Sequence, residues 1–175
     1  MFPLKNGVAL CFSFINLSTD GIYIARCGAG IYLGESPHGH HPAEKSLLYH
    51  LEHYTENGDR VPLSLPDLGG ITHQAVGGFL STGSSGGSTT YDLGEVIHSV
   101  TLVHADGDDY NGRVRKYTRD DDDFYGVVVS MGLLGIIVEV EFEVKEAFSP
   151  DETPYPYSYN IQGLENTYEE RTIIG

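Results

Sequence analysis

The chain has 175 residues and a formal net charge of −15, from 25 acidic and 10 basic side chains. That length holds one domain, or one domain with tails, and the charge repels phosphate backbones and anionic lipid, which argues against nucleic acid and membrane surfaces as partners. The two cysteines, Cys11 and Cys27, form no CxxC pair, so neither a disulfide framework nor a zinc-finger site is expected.

Residues 1–20 carry an apolar run over 8–15, too short to span a bilayer and preceded only by Lys5. Neither an export signal nor an anchor is expected, which favours the cytoplasm, and the sequon Asn16-Leu17-Ser18 then means little. The segment stays unassigned, as a strand or as no part of the domain. Residues 21–27 read as a strand rich in β-branched and aromatic residues, with Cys27 as a buried free thiol. Gly28, Gly30 and Gly34 fail as a dinucleotide fingerprint. Leu33 stands where the third glycine belongs, and Glu35-Ser36-Pro37 follows in place of a helix.

Pro42 opens a helix in which Leu47, Leu48, Leu51 and Tyr54 recur at helical spacing, and Asn57-Gly58 closes it as a left-handed cap. Five of the eight histidines lie between His38 and His53. They read as solvated surface residues, and no metal site is expected.

Residues 66–88 hold seven glycines interleaved with Ser81, Thr82, Ser84, Ser85 and Ser88. Val76, Phe79 and Leu80 are too apolar for a linker. Bare N–H groups beside hydroxyls suit an anion or the polar edge of a flat heterocycle. No lysine follows, so the P-loop pattern is absent.

A strand over 96–105, the turn signal Asp106-Gly107 and a return strand over 113–118 come next, with Arg113, Arg115 and Tyr117 on one face. Asp120 to Asp123 read as a solvated acidic start to a helical turn. Propensity favours strand at Val127-Val128-Val129. From Val138, apolar Val138, Val140, Phe142 and Val144 alternate with Glu139, Glu141, Glu143 and Lys145, one face inward and three glutamates outward. Three like charges in a row need a cationic neighbour, so the Arg113/Arg115 strand is expected beside them. Residues 147–175, with Pro150, Pro154, Pro156 and several tyrosines, read as a connector. The fold expected is α+β, a mainly antiparallel sheet with two or three helices. Its core would include Ile22, Ile24, Leu47, Leu51, Val76, Val100, Leu102, Val138, Val140 and Phe142.

Residues 71–88, Ile-Thr-His-Gln-Ala-Val-Gly-Gly-Phe-Leu-Ser-Thr-Gly-Ser-Ser-Gly-Gly-Ser, resemble the second flavin-contacting loop of FAD-linked oxidases of the vanillyl-alcohol oxidase and p-cresol methylhydroxylase type. The branch it looks most like is that of the sugar-alcohol (alditol) and aldonolactone oxidases. Residues 28–34, 100–107 and 130–140 resemble the family's Ala-Gly turn, following hairpin strand and closing segment, in the family's order.

The resemblance implies a division into an unassigned segment 1–20, a partial FAD-binding domain of the p-cresol methylhydroxylase type over 21–146, and a connector over 147–175 toward a substrate domain. The part present looks like the second α+β subdomain. The implied cofactor is FAD, contacted by Val76, Gly77, Gly78, Ser81, Thr82, Gly83, Ser84, Gly86, Gly135, Ile136 and Ile137. The resemblance also implies a short helix at Phe124. The implied activity is an oxidoreductase one. Hydride from an alcohol, a sugar alcohol or an aldonolactone passes to the flavin and then to oxygen, so the partners of the complete flavoprotein are FAD and a small polyol or lactone.

The family's pyrophosphate loop is not found, and His38-Gly39-His40-His41 lies on the wrong side of the Ala-Gly turn to take a covalent flavin role. No catalytic residue is assigned, and His73 and Gln74 read as loop packing. Weak FAD binding and no oxidase turnover are expected of the chain by itself. Gly83→Val is expected to remove flavin while leaving the fold intact. A flavin-domain relic that binds nothing, and an unrelated small-anion-binding module, stand as alternatives.

Overall fold

A computed structural model describes residues 12–16, 21–36, 38–39, 41–86, 93–104 and 113–147. Cys11, Leu17, Ser18, Gly87, Ser88, Asp106-Gly107 and the proline-rich residues after 147 lie outside that set. Five strands form the main path of one antiparallel sheet: β1 (Phe12–Asn16), β2 (Ile22–Gly28), β6 (Ile97–His104), β7 (Arg113–Thr118) and β8 (Ile136–Glu146). Their spatial order is β1-β2-β8-β6-β7, and the short β5 (Leu63–Ser64) pairs with the far end of β8. This is the α+β, mainly antiparallel architecture expected. β1 falls in the unassigned segment and pairs with β2 over its whole length.

Alternation sets the core face. Tyr23, Ala25 and Cys27 of β2 sit opposite Val144, Phe142 and Val140 of β8, and Val100 of β6 sits opposite Val140. All of these are buried, together with Leu102. Burial, with Glu139's charge adding to it, pushes the Cys27 thiol up to about 12, so it stays protonated and inert.

The four described helices are short: α1 (Leu47–Glu52), α2 (Val76–Ser81), α3 (Leu93–Val96) and α4 (Phe124–Val128). Their apolar residues Leu47, Leu51, Val76, Phe79, Leu80, Phe124, Val127 and Val128 close the core over that face. Each fully buried leucine or phenylalanine contributes about 2 kcal/mol.

Several expectations are corrected. The helix opened at Pro42 is a single 3-10 turn, Ala43–Lys45, followed by α1, which Ser46 caps by accepting from Tyr49 N. It ends before Asn57-Gly58. That pair instead turns a small hairpin, β3 (Thr55–Glu56) with β4 (Asp59–Arg60). Both central residues have positive φ, 54° and 94°, as a type I′ turn requires.

Val138 is not core. The β6–β8 register shifts between Thr101/Glu139 and Leu102/Ile137, so Val138 has no partner on β6 and stays 40% exposed. The bulge turns Ile137 inward and leaves Ile136 outward. Ile22 is only half-buried; the other eight core residues named from sequence are buried.

The strand carrying Arg113 and Arg115 shares the sheet with β8, but β6 separates them. The glutamates of β8 are met by Lys116 of that strand, which lies on its other face and reaches across β6, and by cations from elsewhere. Glu141 is buried and takes hydrogen bonds from Arg26, Ser99 and Lys116. Glu143 meets Arg119 and His98. Arg119 also donates to Gly94 O and Glu95 O, which clamps α3 to β8. Arg115 pairs with Asp121, whose carboxylate accepts from Thr118 N and closes the turn into α4. α4 follows the helix implied by the resemblance, against the strand propensity of its valines. Phe124, Val127 and Val128 bury on one side of it, and tertiary packing overrides propensity.

Candidate flavin-facing surface

The glycine-rich stretch is half helix. α2 starts immediately after Ala75, and its first N–H groups do not face an open site. Val76 N donates to Ile31 O and Gly77 N to Ala29 O, both at 2.8 Å. The Ala-Gly turn after β2 therefore caps α2, satisfying donors that a helix start leaves unpaired. Gly77 permits this contact, because a Cβ there would come 3.1 Å from that of Ala29. A small-anion module built on these amides loses its donors. The signal missed in the sequence was the complementarity of Ala29 with Gly77.

α2 ends in a Schellman motif. Gly83 N donates to Leu80 O and Ser84 N to Phe79 O, with Gly83 at φ +63°. A Cβ on Gly83 would also meet Val129 Cγ1 at 3.0 Å. The sequence argument for Gly83→Val is corrected on this point: a branched residue there strains the helix cap and crowds Val129, so it disturbs the fold itself.

The hydroxyls are partly committed. Ser81 Oγ donates to Gly77 O at 2.6 Å and Thr82 Oγ1 to Gly78 O at 3.0 Å, each back-bonding within the helix. Their lone pairs, and Ser84 Oγ at 2.9 Å from Thr82 Oγ1, remain as polar atoms. Gly86 is held by Asp67, whose Oδ1 accepts from Gly86 N at 2.9 Å; a Cβ on Gly86 would clash with that carboxylate and with Leu68 O. Asp67, buried and not singled out in the sequence, is thus the anchor of the loop's end.

The second predicted stretch lies beside the first. Met131 N donates to Ser81 O at 3.0 Å, and Gly83 faces Val129. Met131 and Gly132 both take positive φ, 52° and 80°, in the turn that leads to Gly135. At Gly135 φ is 149°, and a Cβ would lie 2.5 Å from Val103 O, so only glycine fits against β6.

Of the predicted contacts, Val76 and Ile137 bury their side chains in the core, Gly77, Ser81, Ser84, Gly86 and Gly135 are half-exposed, and Gly78, Thr82, Gly83 and Ile136 are exposed. Met131, Leu133 and Leu134 join Ile136 as exposed apolar side chains on this segment. Close to Gly135, His104 Nε2 lies 2.8 Å from the buried Tyr117 hydroxyl, with the Arg115 guanidinium 4.3 Å over the Tyr117 ring.

The residues fit the ring portion of a flavin: a helical glycine with open space above it, acceptor hydroxyls, and apolar side chains at the surface. Among the described residues none offers a backbone cradle for a pyrophosphate.

Comparison with known proteins bears on this surface. No protein-family model matches the chain. A protein named D-arabinono-1,4-lactone oxidase from Neurospora crassa is 38% identical over 94 residues, covering 52% of this chain and 16% of that protein. Alditol oxidase from a Streptomyces species is 33% identical over 87 residues, covering 49% of this chain and 20% of that enzyme. The matches thus span at most a fifth of these relatives' length.

Two solved structures of cholesterol oxidase from Brevibacterium sterolicum, one of them a point variant, superpose with TM-scores of 0.54 and 0.52 at 16% identity. They cover 79% and 78% of this chain and 24% of each enzyme. At that identity the likeness concerns the fold alone. In sequence the chain is thus similar to a part of two oxidases, and in fold to a part of a third.

Proposed function

We propose that the chain supplies one flavin-contacting wall of an FAD-linked oxidase that acts on an aldonolactone or a sugar alcohol. Residues 21–146 would be part of its FAD-binding domain, and residues 147–175 would lead toward a substrate domain. The observation that carries this reading is the junction of Ser81 with Met131, which brings together two stretches that resemble flavin contacts but lie far apart in the chain. Bound FAD would accept hydride from the substrate carbon and return electrons to oxygen, while the protein supplies position and electrostatics. On this chain, Thr82 and Ser84 would hold the polar edge of the ring. Leu134 and Ile136 would exclude water from its face, and Gly78 would leave room for its approach.

Gly78 supplies the test. It is helical and exposed, with nothing within 4 Å of a built Cβ. Alanine there should therefore stabilise the unliganded chain by about 1 kcal/mol, the difference in helix propensity. If flavin occupies that space, the same change should reduce flavin retention. With no pyrophosphate cradle among the described residues, the chain alone is expected to leave gel filtration colourless. Co-expressed with the N-terminal part of a related oxidase, it should retain flavin, and Gly78→Ala should retain less while melting higher. Equal flavin-to-protein ratios in the two would remove α2 from the cofactor surface.

A further inference from the structure

Among the described residues sulfur occurs only in Cys27 and Met131. Cys27 is fully buried and its thiol stays protonated, so it is closed to oxidants. Met131 is 72% exposed. It is the only methionine besides Met1. Its N–H donates to Ser81 O, at the junction that carries the oxidase reading. We infer that Met131 is a modification site: hydrogen peroxide converts its thioether to the sulfoxide, and that change weakens the hold on flavin.

The oxidant comes with the proposed chemistry, and the inference rests on that reading. Dioxygen that takes up two electrons and two protons leaves as hydrogen peroxide. The thioether sulfur then attacks one peroxide oxygen as the O–O bond breaks. An S–O bond forms and the second oxygen leaves as water. Sulfur loses two electrons, and the peroxide gains them.

The effect on flavin follows from the character of the segment. Leu133, Leu134 and Ile136 are exposed, and with Met131 they make this stretch of surface apolar. A sulfoxide is polar and chiral. Covering it without a hydrogen-bond partner is unfavourable, as it is for any bare polar group. The free chain bears no such cost, because there the side chain stays in water. The bond from Met131 to Ser81 is made by main-chain atoms and does not involve the sulfur.

Ser130 adds an independent observation. It is 8% exposed, and its Oγ has no hydrogen-bond partner. A thioether is a weak acceptor, whereas a sulfoxide oxygen on the next residue is a strong one. Oxidation thus offers the orphaned hydroxyl a partner, and the free chain should melt no lower once oxidised.

The test starts with the full chain alone, treated with hydrogen peroxide and read by peptide mass spectrometry. Sulfoxide should form at Met131 at a rate within about threefold of free methionine, with the Cys27 thiol unchanged. Protection of Met131 by about tenfold or more, or a lower melting temperature of the oxidised chain, would overturn the assignment. The chain co-expressed with the N-terminal part of a related oxidase is then oxidised, and its flavin-to-protein ratio after gel filtration is compared with that of its own untreated sample. The ratio should fall roughly tenfold and recover on treatment with methionine sulfoxide reductases. A Met131→Leu assembly, compared with its own untreated sample, should show no fall. Complete sulfoxide formation with the ratio unchanged, or an equal fall in Met131→Leu, would overturn the inference and leave the oxidase reading standing. An assembly that holds no flavin before treatment would sink the oxidase reading and, with it, the effect of the sulfoxide on flavin.

Discussion

Replacing Gly135 with alanine is expected to destabilise the chain by about 3 kcal/mol or more, although it adds one methyl group. Two costs combine. At φ 149° an L-residue is strained, which costs about 1–3 kcal/mol. The new Cβ would also stand 2.5 Å from Val103 O and 3.3 Å from the His104 Cα. These are backbone atoms of a paired strand that cannot turn aside, and overpacking of this kind costs a further 1–3 kcal/mol or so. The melting temperature, followed by circular dichroism, should fall by roughly 10 °C for a domain of this size. Gly78→Ala is the control of opposite sign, because there the same methyl enters open space. A Gly135→Ala chain that melts with the parent would show that β8 does not enter the sheet as described.

Glu141→Gln is expected to cost about 3 kcal/mol at neutral pH, the low end for breaking a buried ion pair. Glu141 is 2% exposed. Its Oε1 takes Arg26 Nε at 2.7 Å, and its Oε2 takes Lys116 Nζ at 2.7 Å and Ser99 Oγ at 2.6 Å. Arg26 and Lys116 both reach solvent, so neither is stranded when the charge is lost, which keeps the cost at that end of the range. Burial alone would push the carboxyl up, but the hydrogen bonds from Lys116, Ser99 and Arg26 outweigh it and hold it at about 2, against an ordinary 4.5.

A carboxyl depressed in the folded state contributes stability that is fully present above the unfolded value. That stability is lost as pH falls from about 4.5 toward 2. Urea denaturation should therefore show a wide gap between parent and Glu141→Gln at pH 7 and a narrower one near pH 3. A gap that does not change with pH would mean that the network is held by shape and not by charge.

Period-2 patterning places the inner half of β8, because a residue's face in a strand follows from its own position, while β-branched and aromatic content places β2 and a turn signal places β7. The same pattern places most of the core and, through the unbroken mixing of strand and helix signals, the α+β class. The resemblance adds the helix at Phe124 and the two stretches that meet at Ser81 and Met131. These are properties a chain carries locally.

Other features depend on partners that no local window contains. Asn57-Gly58 suits a helix cap and a hairpin turn equally well, since both require positive φ; the pairing of Thr55 with Arg60 decides between them. Gly77 and Gly78 read as loop, but the carbonyls of Ala29 and Ile31, almost fifty residues earlier in the chain, hold the start of that helix. The alternation at Val138 is regular in sequence and broken in space, because the bulge against Thr101 and Leu102 belongs to two strands at once. The glutamates of β8 needed cations, but which cations depends on the face each side chain takes. On β7, Lys116 shares the glutamates' face and reaches Glu141 across β6, whereas Arg113 and Arg115 take the other face; Arg26 and Arg119 come from β2 and from just past β7. The capping role of Gly83 likewise came to light only with its φ and its neighbour Val129 in place. Residue type and spacing carry face, period and motif; which face meets which neighbour is a property of the assembled sheet.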